Sequence, residues 1–242
     1  MKTWHHDSGW DIDQPVVDRL RGFPREPDIL VYGVRALIAL IIRGWLRIYH
    51  RFEIIGHEKL RTNRSLVLVA NHSSHLDTLC LLAALPLRKL HRAFPAAAAD
   101  YFFQSVPRTF VAAVVTNALP FARQGRVRRS LSICSEILSD PENILIIFPE
   151  GTRSKTGETG EFKSGIGAIV AGQDITVLPC YLQGAFHAWP KGRRLPRPKK
   201  VRLIVGASRN YSSRSANKID ICTIAAELHR AVKELEEDNG SD

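Results

Sequence analysis

Short apolar runs alternate with amphipathic stretches along most of the chain beyond residue 51, and this alternation predicts an α/β fold. The runs at 66–70 and 144–148 are apolar at every position, which is typical of strands buried on both faces of a parallel sheet. The sequence therefore predicts a largely parallel mixed sheet covered by helices. The predicted strands are 52–55, 65–70, 93–97, 118–121, 144–148, 176–182 and 201–205, and the predicted helices are 78–85, 101–111, 126–139, 165–171 and 218–236.

The N-terminal segment contains a different apolar stretch. Residues 29–42 are apolar except for Gly33 and Arg35, and the stretch is shorter than the roughly 20 residues of a spanning helix. On a helical wheel, four arginines of this segment fall within an arc of about 160°: Arg35, Arg43, Arg47 and Arg51. This pattern is typical of an amphipathic helix at a membrane interface, with arginines reaching the headgroups. An ordinary helix packed on the core fits equally well.

The composition fits one compact domain with a strong positive charge. The chain has 242 residues, 45% of them hydrophobic, and a formal net charge of +10. Such a charge predicts an anionic partner: a nucleic acid, an acidic carrier protein, a polyphosphate cosubstrate or the anionic cytoplasmic leaflet of a membrane. Charge alone does not choose among them.

The cysteines and the N-terminus exclude some classes of protein. The four cysteines lie far apart, with neither zinc-ligand spacing nor the density of a disulfide scaffold. We therefore expect reduced, mostly buried thiols and no metal site. The first residues lack the apolar core of a secretion signal, which favours a cytoplasmic location.

A candidate base and its carboxylate partner follow the second predicted strand. His72 and Asp77 are five residues apart, so they can meet only across a turn, for which Ser73 and Ser74 are suited. A neutral imidazole takes a proton from a hydroxyl, and an adjacent carboxylate holds its tautomer and stabilises the imidazolium. His75 is a rival base, and the simpler alternative makes Asp77 only the N-cap of the next helix.

A candidate anion clamp follows the fifth predicted strand. Gly151 frees backbone amides, Thr152 offers a hydroxyl, and Arg153 supplies a guanidinium that binds phosphate oxygens through two parallel hydrogen bonds. Glu150 is an acceptor when ionised, so it suits orienting Arg153 or a neighbouring amide better than touching phosphate. Because parallel strands end at one edge of a sheet, we expect both motifs to converge there. The simpler alternative is a surface turn with a solvated arginine.

The two motifs together strongly resemble the glycerolipid acyltransferase family, which includes the 1-acylglycerol-3-phosphate acyltransferases. The family pattern of Asn-His, four residues and Asp is matched by Asn71, His72 and Asp77. Its phosphate-site block is matched without a break by residues 148–154. The resemblance covers roughly residues 52–206 and leaves the first 50 residues and the last predicted helix unmatched.

Two weaker matches add to the resemblance. Residues 117–123 are similar to a family block that carries a substrate-binding arginine, here Arg123, although Asn117 stands where glycine is common. Residues 162–165 look like the family's Phe-Lys-x-Gly segment, which contributes Lys163.

The resemblance implies an activity and a place for it. A fatty acyl group would move from acyl-CoA or an acyl-carrier protein to the hydroxyl of a lysophospholipid, 1-acylglycerol-3-phosphate above all, without a metal or further cofactor. His72 and Asp77 would be catalytic, and the phosphate-binding set would be Arg123, Glu150, Gly151, Thr152, Arg153 and Lys163. The expected organisation is an interfacial segment at 1–50 and a catalytic domain at 51–242. The enzyme would lie peripherally on the cytoplasmic face of an anionic membrane.

Two alternatives stay open at this point. The same chemistry suits a different lyso-lipid or alcohol as acceptor. A nucleic-acid-binding or scaffold protein would also explain the basic residues, notably those of the Pro-rich loop at 190–200. That class leaves His72 and Asp77 unexplained, and the loop lacks aromatic residues for stacking on bases apart from the neighbouring Trp189. We therefore expect no nucleic-acid partner.

Overall fold

The computed structural model describes residues 29–98, 117–121 and 127–239. The helices are α1 (Ile29–Tyr49), α2 (Asp77–Ala84), α3 (Val127–Ser139), α4 (Gly165–Val170), α5 (Ala185–Ala188) and α6 (Lys218–Asn239). The strands are β1 (Glu53–Ile55), β2 (Leu66–Ala70), β3 (Ala93–Ala98), β4 (Leu119–Phe121), β5 (Ile144–Ile147), β6 (Thr176–Gln183) and β7 (Arg202–Val205). Two 3₁₀ turns lie at His57–Leu60 and Leu87–Arg92.

The seven strands form one mixed sheet in the order β1-β7-β6-β2-β5-β3-β4. Strands β6, β2, β5, β3 and β4 run parallel, whereas β7 pairs antiparallel with β6 and β1 runs parallel to β7. The predicted α/β fold with a largely parallel mixed sheet is confirmed. In register, Val69 of β2 lies opposite Ile147 of β5, so the two central strands end side by side.

Each face of the sheet is covered by its own apolar cluster, because successive strand residues point to opposite faces. On β2, Leu66 and Leu68 belong to a cluster with α1 and α2, which contribute Leu46 and Leu81. Val67 of the same strand belongs to the cluster formed with α3, α4 and α6. The continuous apolar runs thus reflect burial on both sides. This three-layer packing fixes the carboxyl ends of the strands, which are the platform for the site.

Helix α1 turns its arginine side partly toward the protein. Arg43 donates to the carbonyl oxygen of Leu85, at the end of α2 where helix carbonyls lack intrahelical partners. Arg35 lies in the groove between α1 and α2. The outward side is apolar, with Ile41 63% and Ile48 82% exposed. Of the two alternatives, the helix packed on the core describes Arg35 and Arg43, and Arg51 lies beyond the end of α1.

The predicted strands agree closely with those of the structure. Each of the seven predicted strands is present, and both of its ends lie within one residue of the predicted bounds. The helix predicted at 101–111 lies outside the described residues. The terminal helix extends to Asn239, three residues beyond the prediction, and the single-turn α5 was not predicted. In the described part of the chain, no helix is both long and apolar enough to cross a bilayer.

The cysteines agree with the expectation from sequence. All four are free thiols, and all except Cys222 are buried. Burial raises the pKa of Cys134 and that of Cys180 to about 12, so neither is a nucleophile at neutral pH.

Candidate active site

The two motifs meet at the carboxyl edge of the sheet, where β2 and β5 end as neighbours. Two hydrogen bonds join them directly. The backbone amide of His72 donates to Oε1 of Glu150 at 2.7 Å, and the amide of Ser154 donates to the carbonyl oxygen of His72 at 2.7 Å. Segments about 80 residues apart in the chain therefore form one surface, as the sequence predicted.

His72 and Asp77 form the expected pair. Nδ1 of His72 lies 2.8 Å from Oδ2 of Asp77, a fully buried carboxylate. Because Nδ1 is engaged in this bond, Nε2 is the nitrogen that can accept a proton. The ring of Phe148 stacks on the imidazole with centroids 4.2 Å apart and planes 18° apart, which fixes the ring orientation. The imidazole keeps 19% of its side-chain surface exposed, so a substrate can reach it.

Asp77 orients the loop in front of it rather than capping the helix behind it. Its Oδ2 also accepts the backbone amides of Ser73 and Ser74, at 2.7 and 2.8 Å. It is the first residue of α2, where a negative charge is favoured by the helix dipole, but no side-chain cap bond is present at this end. The simple N-cap alternative therefore fails, and the carboxylate is built into the turn that carries His72.

The turn after β5 brings a glycine and a lysine together. Gly151 has φ of +72°, a left-handed conformation that strains any residue with a Cβ. A Cβ built there would lie 2.6 Å from Nζ of Lys163, so the ammonium group lies directly over the turn. The Lys163 amide also donates to the carbonyl oxygen of Pro149 at 3.0 Å. Thr152 and Lys163 are exposed and can reach a ligand.

The Arg153 side chain contacts His75, the second histidine of the first motif. Its Nη1 lies 2.6 Å from Nδ1 and 2.9 Å from Nε2 of His75. The His75 ring is tilted against Trp189 with centroids 5.2 Å apart, and its backbone amide donates to the Trp189 carbonyl at 3.1 Å. Burial and then the Arg153 charge lower the pKa of His75 to about 4. Its ring is therefore neutral at pH 7 and a weak base, which removes it as a rival to His72.

Glu150 is a buried positioning residue. Its carboxylate accepts backbone hydrogen bonds from His72 and Gly160, yet burial raises the pKa of this carboxyl to about 7. A carboxylate turned toward backbone amides does not suit phosphate binding. Of the roles considered from sequence, orienting a neighbouring amide is the one that the geometry supports, and the inclusion of Glu150 among phosphate ligands is not supported.

Several site contacts could not be read from the sequence. The buried side chain of Asn71 accepts the Leu182 amide at 2.8 Å, which ties the start of the first motif to β6. The support of Arg153 by His75 and Trp189 was also missed. The position of His75 between His72 and Asp77 was the one feature of the sequence that pointed to a role for it in the site. Arg123 lies outside the described residues. Among the residues described, no group of three or more His, Cys, Asp or Glu side chains is arranged to hold a metal ion.

An apolar groove lies between α1 and α2. It is close to the N-terminal end of α2, which begins with Asp77. Its lining consists of Arg35, Ile38, Ala39, Ile42, Leu79, Leu82, Ala83 and Leu90. Since Asp77 begins the helix that supplies Leu79 and Leu82, the groove starts within about one turn of the His72 partner. The lining is apolar apart from Arg35.

Fold and site together define an α/β protein that carries a hydrogen-bonded histidine–aspartate pair beside a turn with Arg153 and Lys163. A model of the acyltransferase family matches residues 51–183, more than half of the chain, and the chain belongs to this family.

Individual relatives carry related names. A chloroplastic 1-acyl-sn-glycerol-3-phosphate acyltransferase of Arabidopsis thaliana is 30% identical over 147 residues, covering 60% of this chain and 39% of that protein. A probable 1-acyl-sn-glycerol-3-phosphate acyltransferase of Mycoplasma genitalium is 24% identical over 182 residues, covering 70% and 61%. The chain thus spans about two fifths (39% and 40%) of the first two plant relatives.

A solved structure shares the fold. The crystal structure of a 1-acyl-sn-glycerophosphate acyltransferase from Thermotoga maritima superposes with a TM-score of 0.66 and 24% identity, covering 94% of this chain and 88% of that one.

Proposed function

We propose that the protein moves a fatty acyl group from acyl-CoA or an acyl-carrier protein to the hydroxyl of a lysophospholipid. The acceptor is 1-acylglycerol-3-phosphate and the product phosphatidic acid. The observation that carries this proposal is the His72–Asp77 bond of 2.8 Å, which leaves Nε2 of His72 as a base next to the Arg153 turn. The names of the relatives support the acceptor, and no metal or further cofactor is needed.

The chemistry follows from the pair. Nε2 of His72 takes the proton of the acceptor hydroxyl as the oxygen attacks the thioester carbonyl, and Asp77 stabilises the imidazolium that forms. A C–O bond forms, the C–S bond breaks, and the imidazolium returns its proton to the departing thiolate. General-base assistance of this kind contributes roughly 10²–10⁴-fold in rate. The substrate hydroxyl is the nucleophile, so no acyl-enzyme forms.

The turn after β5 provides the phosphate site. Arg153 supplies a guanidinium fork, Lys163 an ammonium group over Gly151, and Thr152 an exposed hydroxyl. Arg123 completes this set. The acyl chain of the donor or acceptor lies in the apolar groove between α1 and α2.

The protein works at a membrane surface, on its cytoplasmic face, as a peripheral enzyme. The outward side of α1 supports this, because it exposes apolar side chains along the length of the helix: Val34, Leu37, Leu40, Ile41, Ile48 and Tyr49. Such a contiguous stripe marks an interaction surface rather than ordinary exposure of single residues. The net charge of +10 favours an anionic bilayer.

The decisive experiment is a thiol-release assay with acyl-CoA and acyl-carrier donors against a panel of lyso-lipids. We expect His72→Ala to lose about 10²–10⁴-fold in turnover because the general base is gone. Circular dichroism and thermal unfolding serve as the folding control. Full activity in the folded variant would remove His72 from the mechanism. Salt-sensitive oligonucleotide binding without any thiol release would instead favour the nucleic-acid alternative.

The phosphate site is tested by Arg153→Ala. We expect the KM for 1-acylglycerol-3-phosphate to rise by about tenfold or more, because a charge-assisted hydrogen bond contributes roughly 1.5–3 kcal/mol. The kcat should change less. Lys155→Ala, which removes an exposed cation two residues away, is the matched control and should leave the KM unchanged. An equal KM in both variants would rule out the clamp.

A further inference from the structure

We infer that the loop at 190–200 is a second membrane-contacting element, which places Leu195 in the interface of a bilayer containing anionic phospholipid. This inference extends the proposed membrane association and rests on it. The loop is a chain segment separate from α1, and it runs from Trp189 beside His75 to the end of that helix.

The loop is held firmly at both ends. On the site side, Ser74 bonds the Trp189 carbonyl through Oγ at 2.8 Å and forms a β-bridge with Pro190. Within the loop, the Arg197 amide donates to the Ala188 carbonyl at 2.8 Å. Because its backbone is fixed in this way, the loop incurs little backbone ordering cost on binding.

The other end of the loop contacts the last turn of α1. The Tyr49 hydroxyl donates to the Pro196 carbonyl at 3.2 Å, and Nδ1 of His50 lies 3.2 Å from the Lys199 carbonyl. Leu195, 75% exposed, is therefore adjacent in the chain to the residue that Tyr49 holds, and Ile48 beside Tyr49 is 82% exposed. The apolar outer side of α1 and the tip of the loop thus form neighbouring parts of one surface.

The charge on this loop matches an anionic surface. Residues 190–200 contain no acidic residue, and five of the basic side chains are exposed: Lys191, Arg193, Arg194, Arg197 and Lys199. None of these five forms an ion pair within the described chain, whereas Lys200 and Arg202 both pair with Glu53. An aliphatic tip surrounded by unpaired cations suits the boundary between headgroups and acyl chains.

A bilayer fits better than other anionic partners. Nucleic-acid phosphates would bind the cations, but they offer no apolar group for the exposed Leu195 to contact. The neighbouring indole of Trp189 donates to the Arg193 carbonyl at 2.9 Å and packs against the His75 ring, which disfavours stacking on a base. An acidic carrier protein is the remaining competitor, and the experiment separates it.

The test is flotation of the full chain, without substrates, with phosphatidylcholine vesicles that contain or lack phosphatidylglycerol. Leu195→Ser should weaken binding to the anionic vesicles by about tenfold or more. The double variant Arg193→Ser with Arg194→Ser should weaken it roughly 30-fold on anionic vesicles and little on neutral ones. Ile219→Ser is the matched control, since Ile219 is 79% exposed at the start of α6, and it should bind like the wild type.

A labelling experiment locates the tip directly. Cys222 is the exposed native thiol, so Cys222→Ser provides a background for a fluorophore attached through Leu195→Cys or, as control, Ile219→Cys. We expect an emission blue shift on anionic vesicles only for the label at 195.

Several outcomes would overturn the inference. They are Leu195→Ser binding like Ile219→Ser, equal emission shifts at the two labelled positions, or loop variants that lose affinity for acyl-carrier protein but not for vesicles. Because no substrate is present, these results do not depend on the acyl-transfer assay, and loss of thiol release alone would leave them standing.

Discussion

At the scale of single residues, two histidines three positions apart have been given opposite environments. His72 is bonded to the Asp77 carboxylate through Nδ1, which leaves Nε2 directed away from Asp77. His75 faces the Arg153 guanidinium and the Trp189 ring, and its pKa is lowered to about 4 by burial and then by that charge. One short turn thus carries His72, the proposed base, and His75, a neutral ring that contacts the Arg153 guanidinium.

His75 should therefore act as a positioning residue for Arg153. We expect His75→Phe, which keeps a ring against Trp189 but removes the acceptor nitrogen, to raise the KM for the acceptor by about fivefold or more. The kcat should fall much less, because the His72–Asp77 pair is intact. Steady-state kinetics of thiol release against acceptor concentration measures both.

The conservative variant separates positioning from mere packing. His75→Asn keeps an acceptor but not the ring, and part of the lost acceptor affinity should return relative to His75→Phe. If His75→Phe instead had the wild-type KM, only the shape of the ring would matter, and the support of Arg153 by hydrogen bonding would be excluded.

At the scale of elements, the strands were readable from the sequence and the orientation of α1 was not. Strands such as β2 and β5 are apolar at every position, so their burial on both faces of the sheet can be recognised from the local sequence. The wheel of α1 is apolar on both the inner and the outer side, and the side that faces the protein depends on tertiary contacts such as Arg43 with Leu85. A local pattern carries no information on that contact.

The outward stripe of α1 gives a prediction of its own. We expect Leu37→Ser with Ile41→Ser to weaken binding to neutral phosphatidylcholine vesicles by about tenfold or more, because two exposed apolar side chains no longer enter the interface. Flotation measures the bound fraction. Ala36→Ser, a small change at a less exposed position on the same helix, is the control. Unchanged binding of the double variant would mean that α1 does not touch the bilayer.

At the scale of the whole molecule, the site depends on contacts between distant segments. The convergence of the two motifs was predictable, because parallel neighbouring strands end at one edge. The bonds that complete it were not predictable, since Asn71 reaches Leu182 and Glu150 reaches His72 across separations that no short pattern encodes. The first motif is thus tied to β6 through one buried amide and to β5 through one buried carboxyl.

That buried carboxyl couples the stability of the fold to pH. Burial raises the pKa of Glu150 to about 7, with the charges of Asp77 and Glu236 adding to the rise. A carboxyl whose pKa is higher in the folded than in the unfolded state binds its proton on folding. Its stabilising contribution is therefore fully present below the ordinary glutamate pKa and is lost as the pH rises through about 7. The size of the effect is about 3 kcal/mol.

Glu150→Gln tests this coupling, because the amide oxygen can still accept the His72 amide while no charge is buried. We expect the free energy of unfolding of the wild type to fall between pH 5 and pH 8 by up to about 3 kcal/mol more than that of the variant. Urea unfolding at several pH values gives both curves. Glu158→Gln, an exposed carboxyl in the same segment, should follow the wild type. Parallel curves for wild type and Glu150→Gln would mean that ionising Glu150 costs the folded protein no stability. Glu150 would then accept the His72 amide as a carboxylate and not as a protonated carboxyl.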